Sequence, residues 1–206
     1  MNKPNSYYIQ IKTLVLLITF GFIFYSCDLF STRSAEGPTQ PKSNFEPAID
    51  VNTLVKNFIN SFEDKDVTNY LSCLSDTSFT NKKFHFYPSS EAASIYPSLM
   101  DWSRDKEEQY FRNMSVKLSN KSQIILEFTD VSINTSPDST IYTATYKLNL
   151  PFVNTNSEVT LKTYKGSLSF VMMRDPIRSY WSIYSWKDIK TGSDPSWSDL
   201  KGSFAN

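Results

Sequence analysis

The 206-residue sequence is short of the residues from which most enzyme and metal sites are built. It contains one histidine, two cysteines and five glycines. These numbers cannot supply a zinc cluster at any standard spacing, and no glycine-rich phosphate loop is present. Basic and acidic residues are equal in number, at 21 each, and form no run that would attract nucleic acid. We therefore expect no metal, no cofactor and no nucleic-acid partner.

Long apolar runs are also scarce, and the only one spans residues 14–25, just before Cys27. Lys3 and Lys12 precede it, and no acidic residue occurs before Asp28. A basic start, a short apolar run and a small residue at the cut are typical of a secretory signal. Two alternatives remain open: a membrane-spanning helix, which needs about 20 mostly apolar residues, and an ordinary cleaved signal.

The end of the apolar run resembles a bacterial lipobox, in which a signal peptidase cleaves before a cysteine that then becomes diacylated. Phe24 and Tyr25 depart from the common box, and looser boxes of this kind resemble those of Bacteroidetes-type bacteria. The resemblance implies a signal peptide over residues 1–26 and lipid, such as palmitate, on Cys27. It also implies a place in the bacterial cell envelope, anchored to a membrane and facing the periplasm or the cell surface.

The rest of the chain divides into a linker and one domain. Residues 27–48 include three prolines and one glycine among polar residues, a composition that predicts a flexible tether. Residues 49–206 have a length that suits a single domain with a C-terminal tail. With lipid on Cys27, Cys73 has no cysteine partner, and its apolar neighbours predict a small buried core residue.

Within the domain the hydrophobic pattern is first helical and then strand-like. Apolar residues recur at helical spacing from Val51 to Phe62, after a predicted N-cap at Asp50. Weaker helical patterns follow, and a short alternating strand is predicted at 83–88. The last of these patterns predicts a helix over residues 99–114, with residues 104–108 as its wet face. Four alternating segments then predict an antiparallel meander with one wetter face, at residues 124–133, 140–150, 159–173 and 180–186. Trp197 and Leu200, three apart after a proline, predict a helical turn that docks on the domain or, alternatively, an aromatic rim that recognises a ligand.

This order of elements is similar to the NTF2-like fold, also called the SnoaL-like or cystatin-like cone. The resemblance rests on residues 54–62 as the first helix, residues 63–79 as the short helix before the first strand, and residues 180–188 as the final strand. It implies an α+β class with a curved antiparallel sheet of four long strands plus a short one, wrapped around N-terminal helices. The layout also resembles uncharacterised bacterial lipoproteins with such a domain, which implies no activity.

Enzymes that this domain resembles, of the isomerase and dehydratase kinds, use Asp, Tyr or His in the cone for acid–base chemistry. The corresponding candidates are His85, Asp130 and Tyr142. His85 stands between Phe84 and Phe86 on a predicted strand, so it points to solvent if the two phenylalanines face the core. Asp130 and Tyr142 lie on adjacent predicted strands and could both face the cavity. Alternatively, Asp130 is a carboxylate on the wet face of the sheet and Tyr142 is a core residue. No catalytic residue is assigned.

Two functions from different classes are therefore carried forward. The first is a membrane-tethered, non-enzymatic cone domain that binds a small apolar ligand or an envelope protein. The alternative is a pocket enzyme of the isomerase or dehydratase type. An enzyme needs two or more polar groups that converge in the cone with shifted pKa values, whereas a cone filled by aromatic side chains favours the first hypothesis.

Overall fold

A computed structural model of the protein describes residues 44–205, so the predicted signal peptide and most of the predicted tether lie outside the described residues. The elements in this range are α1 (Val51–Glu63), α2 (Val67–Ser72), β1 (His85–Tyr87), α3 (Ser90–Ile95), a 3-10 turn (Pro97–Asp101), α4 (Arg104–Ser115), β2 (Ile125–Thr135), β3 (Ser139–Val153), β4 (Val159–Arg174), β5 (Trp181–Ile189) and α5 (Trp197–Ser203).

Helix α1 forms where the apolar periodicity predicts it. The Asp50 carboxylate accepts the backbone N–H of Thr53 at 2.8 Å and so caps the first turn. Leu54, Phe58 and Phe62 lie on the inward face and are fully buried. The cap and the stripe together explain why the helix begins at this point and which face it buries.

The helix predicted from residue 99 to 114 is interrupted, so its first part is wrong. Trp102 has an extended backbone, with φ −100° and ψ 110°, and its ring is buried. Ser103 then accepts the N–H of Lys106 at 3.4 Å and caps a new helix, α4. Burial of the Trp102 ring and the cap at Ser103 outweigh the helical pattern that continues across them.

The five strands form one sheet in the order β1-β5-β4-β3-β2. Strands β2 to β5 are the predicted antiparallel meander. The short strand β1 pairs in parallel with β5, where Phe86 lies beside Trp186, so the sheet is mixed. The predicted α+β class, with four long strands and a short one, is confirmed.

Two irregularities bend the sheet. The pairing of β2 with β3 shifts between Thr129 and Ser132, and Asp130 in this bulge has a φ of 50°. The pairing of β4 with β5 shifts between Val171 and Met172. Bulges bend a strand and increase its local twist, so the sheet is curved rather than flat and remains open rather than closing into a barrel.

The core lies between the concave face of the sheet and the helices. Phe58 of α1 is at its centre, with ring centroids 5.3 Å from Phe170, 5.5 Å from Trp186 and 5.7 Å from Tyr70. Buried inward side chains alternate with more exposed outward ones along much of β3 and β4, so one face of the sheet is wetter than the other, as predicted. The exposed side chains include apolar residues such as Ile141 and Leu161 as well as polar ones. The inward set on β3 and β4 includes Tyr142, Ala144, Tyr146, Leu148, Leu168, Phe170 and Met172.

Residues 44–48, at the end of the predicted tether, lie against the domain. The backbone N–H of Glu46 donates to Asn57 Oδ1 at 3.1 Å, and Asn57 Nδ2 donates to the carbonyl of Glu46 at 2.6 Å. Ala48 is buried, and its carbonyl accepts the N–H of Trp181 at 2.7 Å. These contacts attach the segment to α1 and to the start of β5.

Cys73 is a free, buried thiol, as its apolar neighbours predict. It donates to the carbonyl of Asn69 at 3.3 Å, and burial raises the pKa of the thiol. A thiol with a raised pKa carries little thiolate and is a poor nucleophile. Between residues 44 and 205 no helix has both the length and the apolar content needed to cross a membrane.

Candidate functional site

The C-terminal helix α5 sends the ring of Trp197 into the space between α1 and the sheet. Ser196 and Asp199 begin this helix with a capping box, in which each side chain accepts the backbone N–H of the other residue. Trp197, Leu200 and Lys201 point inward and are fully buried. The predicted docking of Trp197 and Leu200 is therefore confirmed, with Lys201 as an unexpected third member.

The Trp197 ring fills the centre of this space. Its centroid lies 4.7 Å from Trp186, 5.0 Å from Tyr146 and 5.4 Å from Phe62. The indole N–H donates to the hydroxyl of Tyr110 at 3.1 Å, so the one polar atom of the ring is satisfied. Aromatic rings with such contacts leave no room for a ligand at this position.

A buried carboxylate, Asp188, holds the start of α5 to the sheet. Its Oδ1 accepts the hydroxyl of Tyr146 at 2.7 Å, and its Oδ2 accepts the backbone N–H of Ser198 at 2.8 Å and the hydroxyl of Ser198 at 2.5 Å. The Tyr146 oxygen in turn accepts the N–H of Trp197 at 2.7 Å. Carboxylates that accept several hydrogen bonds tolerate burial because the bonds replace hydration.

The close approach of Tyr146 depends on a glycine in the neighbouring strand. A Cβ at Gly166 would lie 2.6 Å from the Tyr146 hydroxyl and 2.6 Å from the backbone oxygen of Ile189. Both distances are shorter than any normal carbon–oxygen contact. Only glycine therefore allows the Tyr146 hydroxyl to reach Asp188 across β4.

A second buried carboxylate, Glu107 on α4, pairs with Lys201. Both side chains are fully buried, and Lys201 Nζ donates to Glu107 Oε1. The hydroxyl of Tyr70 donates to Glu107 Oε2 at 2.7 Å. The ammonium also lies 3.6 Å from the centroid of the Trp186 ring and 3.7 Å from that of Phe86, positions that favour a cation–π interaction.

Burial sets the protonation behaviour of this cluster. Desolvation lowers the pKa of Lys201 to about 8, although the ion pair with Glu107 opposes the change. Desolvation and the neighbouring Glu107 charge raise the pKa of Tyr70 well above its ordinary value. Tyr70 therefore stays a neutral donor, and the Lys201 ammonium exists inside the protein at a desolvation cost that its partners offset only in part.

The buried polar groups converge, but the chain itself occupies them. The two carboxylates and the phenols of Tyr70 and Tyr146 all bond to α5 or to each other. A general acid or base must reach a substrate proton within hydrogen-bond distance. With α5 in place, each of these groups is already engaged in a hydrogen bond within the protein.

The structure does not bring the three residues proposed from the sequence together. His85 is exposed on β1 while Phe84 and Phe86 are buried, as their alternation predicts. Asp130 is exposed in the bulge of β2, at the opposite edge of the sheet from β1. Tyr142 is buried, with ring centroids 6.1 Å from Phe128 and 6.3 Å from Phe170, and burial raises the pKa of its phenol.

Sequence reasoning missed the charged residues that the structure buries. Glu107 belongs to the charged stretch 104–108, which the sequence predicts to be the wet face of a helix. Lys201 is four residues after Trp197, and Asp188 is two residues after Trp186, so each shares a face with a buried tryptophan. This spacing from a buried tryptophan was the only sequence feature that could have indicated the burial of Lys201 and Asp188.

Among residues 44–205 no group of three or more His, Cys, Asp or Glu side chains could hold a metal ion.

Comparison with known proteins identifies the fold. No family model matches the sequence, and no curated protein matches it. A dehydratase candidate from the NTF2-like family of Streptomyces avermitilis superposes with a TM-score of 0.53 at 13% identity, covering 69% of this chain and 95% of the other. The fold is NTF2-like. A candidate aromatic ring hydroxylase from Novosphingobium aromaticivorans superposes with a TM-score of 0.52 at 10% identity, over 75% of this chain and 96% of that one.

A third structure extends this likeness. It is a candidate scytalone dehydratase from Novosphingobium aromaticivorans, with a TM-score of 0.51 at 5% identity, covering 71% of this chain and 89% of the other. At such identities the likeness shows the NTF2-like fold alone and carries no activity over to this chain. The NTF2-like part of the family resemblance is confirmed, and the lipoprotein part stays a prediction.

The buried ion pair generates a prediction about stability. Lys201→Met leaves the Glu107 carboxylate buried without its cation, so we expect a loss of about 3–5 kcal/mol in the free energy of unfolding. The double variant Glu107→Gln with Lys201→Met keeps an acceptor for Tyr70 and should recover most of that loss. Urea denaturation measures both values. The exposed Arg112–Glu108 pair on the same helix, at 2.8 Å, is the control, and Arg112→Met should cost less than about 1 kcal/mol. Equal losses in the single and double variants would contradict the assignment.

A second prediction concerns pH. Because the folded protein lowers the pKa of Lys201 to about 8, the unfolded chain holds the proton more tightly above this pH. The free energy of unfolding should therefore rise with pH from about 8 to about 9.5, by at most about 1.4 kcal/mol per pH unit. Denaturation midpoints across this range measure the slope. The double variant, which lacks both ionisable groups, should lose this contribution, and an unchanged slope in that variant would show that Lys201 is not its source.

Proposed function

We propose that the protein is a non-enzymatic binding module that lipid on Cys27 holds at a membrane of a bacterial cell envelope. The observation that supports this most is the occupied cone. The fully buried Trp197 ring fills the space between α1 and the sheet, and the fully buried Lys201 packs beside it against Trp186 and Glu107. A catalytic site in the same place would need an open cavity in which polar groups face a substrate.

The filled cone also favours one kind of partner over the other. A small apolar ligand would have to displace packed aromatic rings, each of which contributes several kcal/mol to stability. An envelope protein could instead bind the outer surface of the domain without disturbing the core. We therefore propose an envelope protein as the partner, with the membrane as the second attachment through Cys27.

A pocket enzyme remains the second candidate because of one observation. Two carboxylates and two phenols lie directly around α5, at Glu107, Asp188, Tyr70 and Tyr146. If α5 moved out as a lid, these groups would face an open cavity lined by aromatic rings. Chemistry of the dehydratase or isomerase type would then have candidate acids and bases.

The membrane attachment is tested by the mass of the mature protein. The full-length chain expressed in a Bacteroidetes-type bacterium should be recovered with Cys27 as its first residue and with the added mass of acyl chains. Cys27→Ser should lose this mass and the membrane fractionation, whereas Cys73→Ala should keep both because Cys73 is a core thiol. A mature N-terminus at another residue, or a Cys27 without acyl mass, would overturn the proposal.

The occupied cone is tested by cavity rescue. Trp197→Ala removes a buried indole, so we expect a loss of about 3–5 kcal/mol in stability and a cavity of indole shape. Added indole should raise the melting temperature of this variant, since a ligand that binds only the folded state stabilises it. The wild type and Tyr180→Ala, which changes an aromatic residue at the surface, should show no such increase. An equal increase in the wild type would show that the cone admits ligands and would favour the enzyme.

A further inference from the structure

A polar cleft lies outside the cone, where three segments of the chain meet. It has a volume of about 310 Å³ and is lined by the residues after α2, the residue pair before β1 and the first turn of α4. The residues that matter are Ser75 from the first segment, Lys83 from the second and Arg104 from the third. None of them belongs to the cluster around α5.

Two of the side chains that line this cleft each carry a buried polar atom without a partner. Ser75 is only 2% exposed, and its Oγ has no hydrogen-bond partner among the described residues. The Nε of Arg104 is buried in the same way and is also unpartnered. Buried polar atoms without partners are rare because each costs about 1–3 kcal/mol, and more if it is charged. A ligand oxygen that reached either atom would satisfy it.

The remainder of the guanidinium is already positioned. Arg104 Nη2 donates to the carbonyl of Leu71 at 3.2 Å and lies 3.6 Å from Asp76 Oδ2. These two contacts hold the group at the wall of the cleft and leave Nε–H as an unused donor. A side chain fixed in this way loses little further entropy when it binds a ligand.

The first turn of α4 adds positive potential. This helix has 12 residues, and its first residues line the cleft. The Ser103 side chain accepts the N–H of Lys106. The N–H groups of the first helical residues before Lys106 have no acceptor within the helix, so a ligand can accept from them. The positive end of a helix dipole and exposed N–H groups favour an anion. The exposed Lys83 at the rim adds a mobile positive charge.

The acidic residues of the cleft limit the charge of the ligand. Asp76 and Asp105 also line it, so two formal negative charges balance those of Lys83 and Arg104. Asp76 is largely committed, since its Oδ1 accepts the N–H of Ser78 at 2.8 Å. A neutral balance of side-chain charges with two unused donors suits a single negative charge better than the double charge of a phosphate monoester.

We propose that this cleft binds the carboxylate of a small organic acid. Ser75 Oγ and Arg104 Nε donate hydrogen bonds to the carboxylate oxygens, the start of α4 supplies favourable potential, and Lys83 closes the rim. Charge-assisted bonds from a guanidinium to a carboxylate are among the stronger ones in proteins. The site is independent of the function proposed for the cone.

The test follows the backbone N–H resonance of residue 75 by NMR in the full-length protein in a non-ionic detergent, because this probe is present in every variant. Sodium benzoate should shift this resonance with saturation, whereas the neutral isostere benzamide and sodium chloride at the same ionic strength should not. Ser75→Ala should weaken benzoate binding by about tenfold, the effect of one lost hydrogen bond to a charged group. Arg104→Lys, which lacks Nε and keeps the charge, should abolish the binding.

A matched control is Arg112→Lys on the same helix, whose guanidinium pairs with Glu108 at the surface; it should leave benzoate binding unchanged. Dispersed spectra show that each variant is folded. If Ser75→Ala does not fold, the loss of binding in Arg104→Lys alone tests the proposal. No saturable shift with benzoate would mean that only water fills the cleft and would overturn the proposal. Tighter binding of inorganic phosphate than of benzoate, or an equal effect of chloride, would overturn the assignment to a carboxylate.

The same titration distinguishes two sources of the carboxylate. A tripeptide with a free C-terminus and its C-terminal amide differ only in the charged group. Binding of the free acid peptide in preference to benzoate identifies a chain terminus as the ligand, and binding of benzoate alone identifies a free organic acid. Binding of the amide as well as the acid would contradict carboxylate recognition.

Discussion

The burial of Lys201 against Glu107 is the interaction on which the rest of this structure depends. A buried ammonium or carboxylate without its partner is unfavourable by several kcal/mol. If either side chain left the interior, the other would remain buried as an uncompensated charge. The pair joins α5 to α4, and Tyr70 extends it to α2. Once it forms, the C-terminal helix is committed to the interior of the cone.

The second anchor, Asp188, makes this commitment specific. It binds the start of α5 through Ser198 and is itself oriented by Tyr146, whose approach depends on Gly166 in the intervening strand. Two carboxylates therefore fix α5 at both of its ends, and Trp197 fills the space between them. In an open cone the Glu107 and Asp188 carboxylates could take part in acid–base chemistry. Here both are hydrogen-bonded to α5 and hold it in place.

Much of the fold could be predicted because local pattern and tertiary packing agree over most of the chain. Asp50 and the apolar stripe from Val51 determine α1, and strict alternation determines the four long strands. The failure at Trp102 has a physical reason, since a buried ring needed an extended backbone where the periodicity favoured helix. The parallel placement of β1 beside β5 depends on a contact about 100 residues away in sequence, which no local pattern specifies.

The candidate site was harder to predict from the sequence because its charged residues have sequence neighbours typical of solvent-exposed positions. Glu107 and Lys201 resemble solvated residues until a partner 94 positions away is known. His85, Asp130 and Tyr142 were chosen for their chemistry, yet the sheet places the first two on opposite edges. By itself the sequence determined the order of helices and strands, the inward face of each and the apolar run before Cys27, since these depend on residues close together in the chain. Only the tertiary structure decided that the cone is filled and that two charges are buried within it, because the burial of a charge is set by long-range partners that compensate its lost hydration.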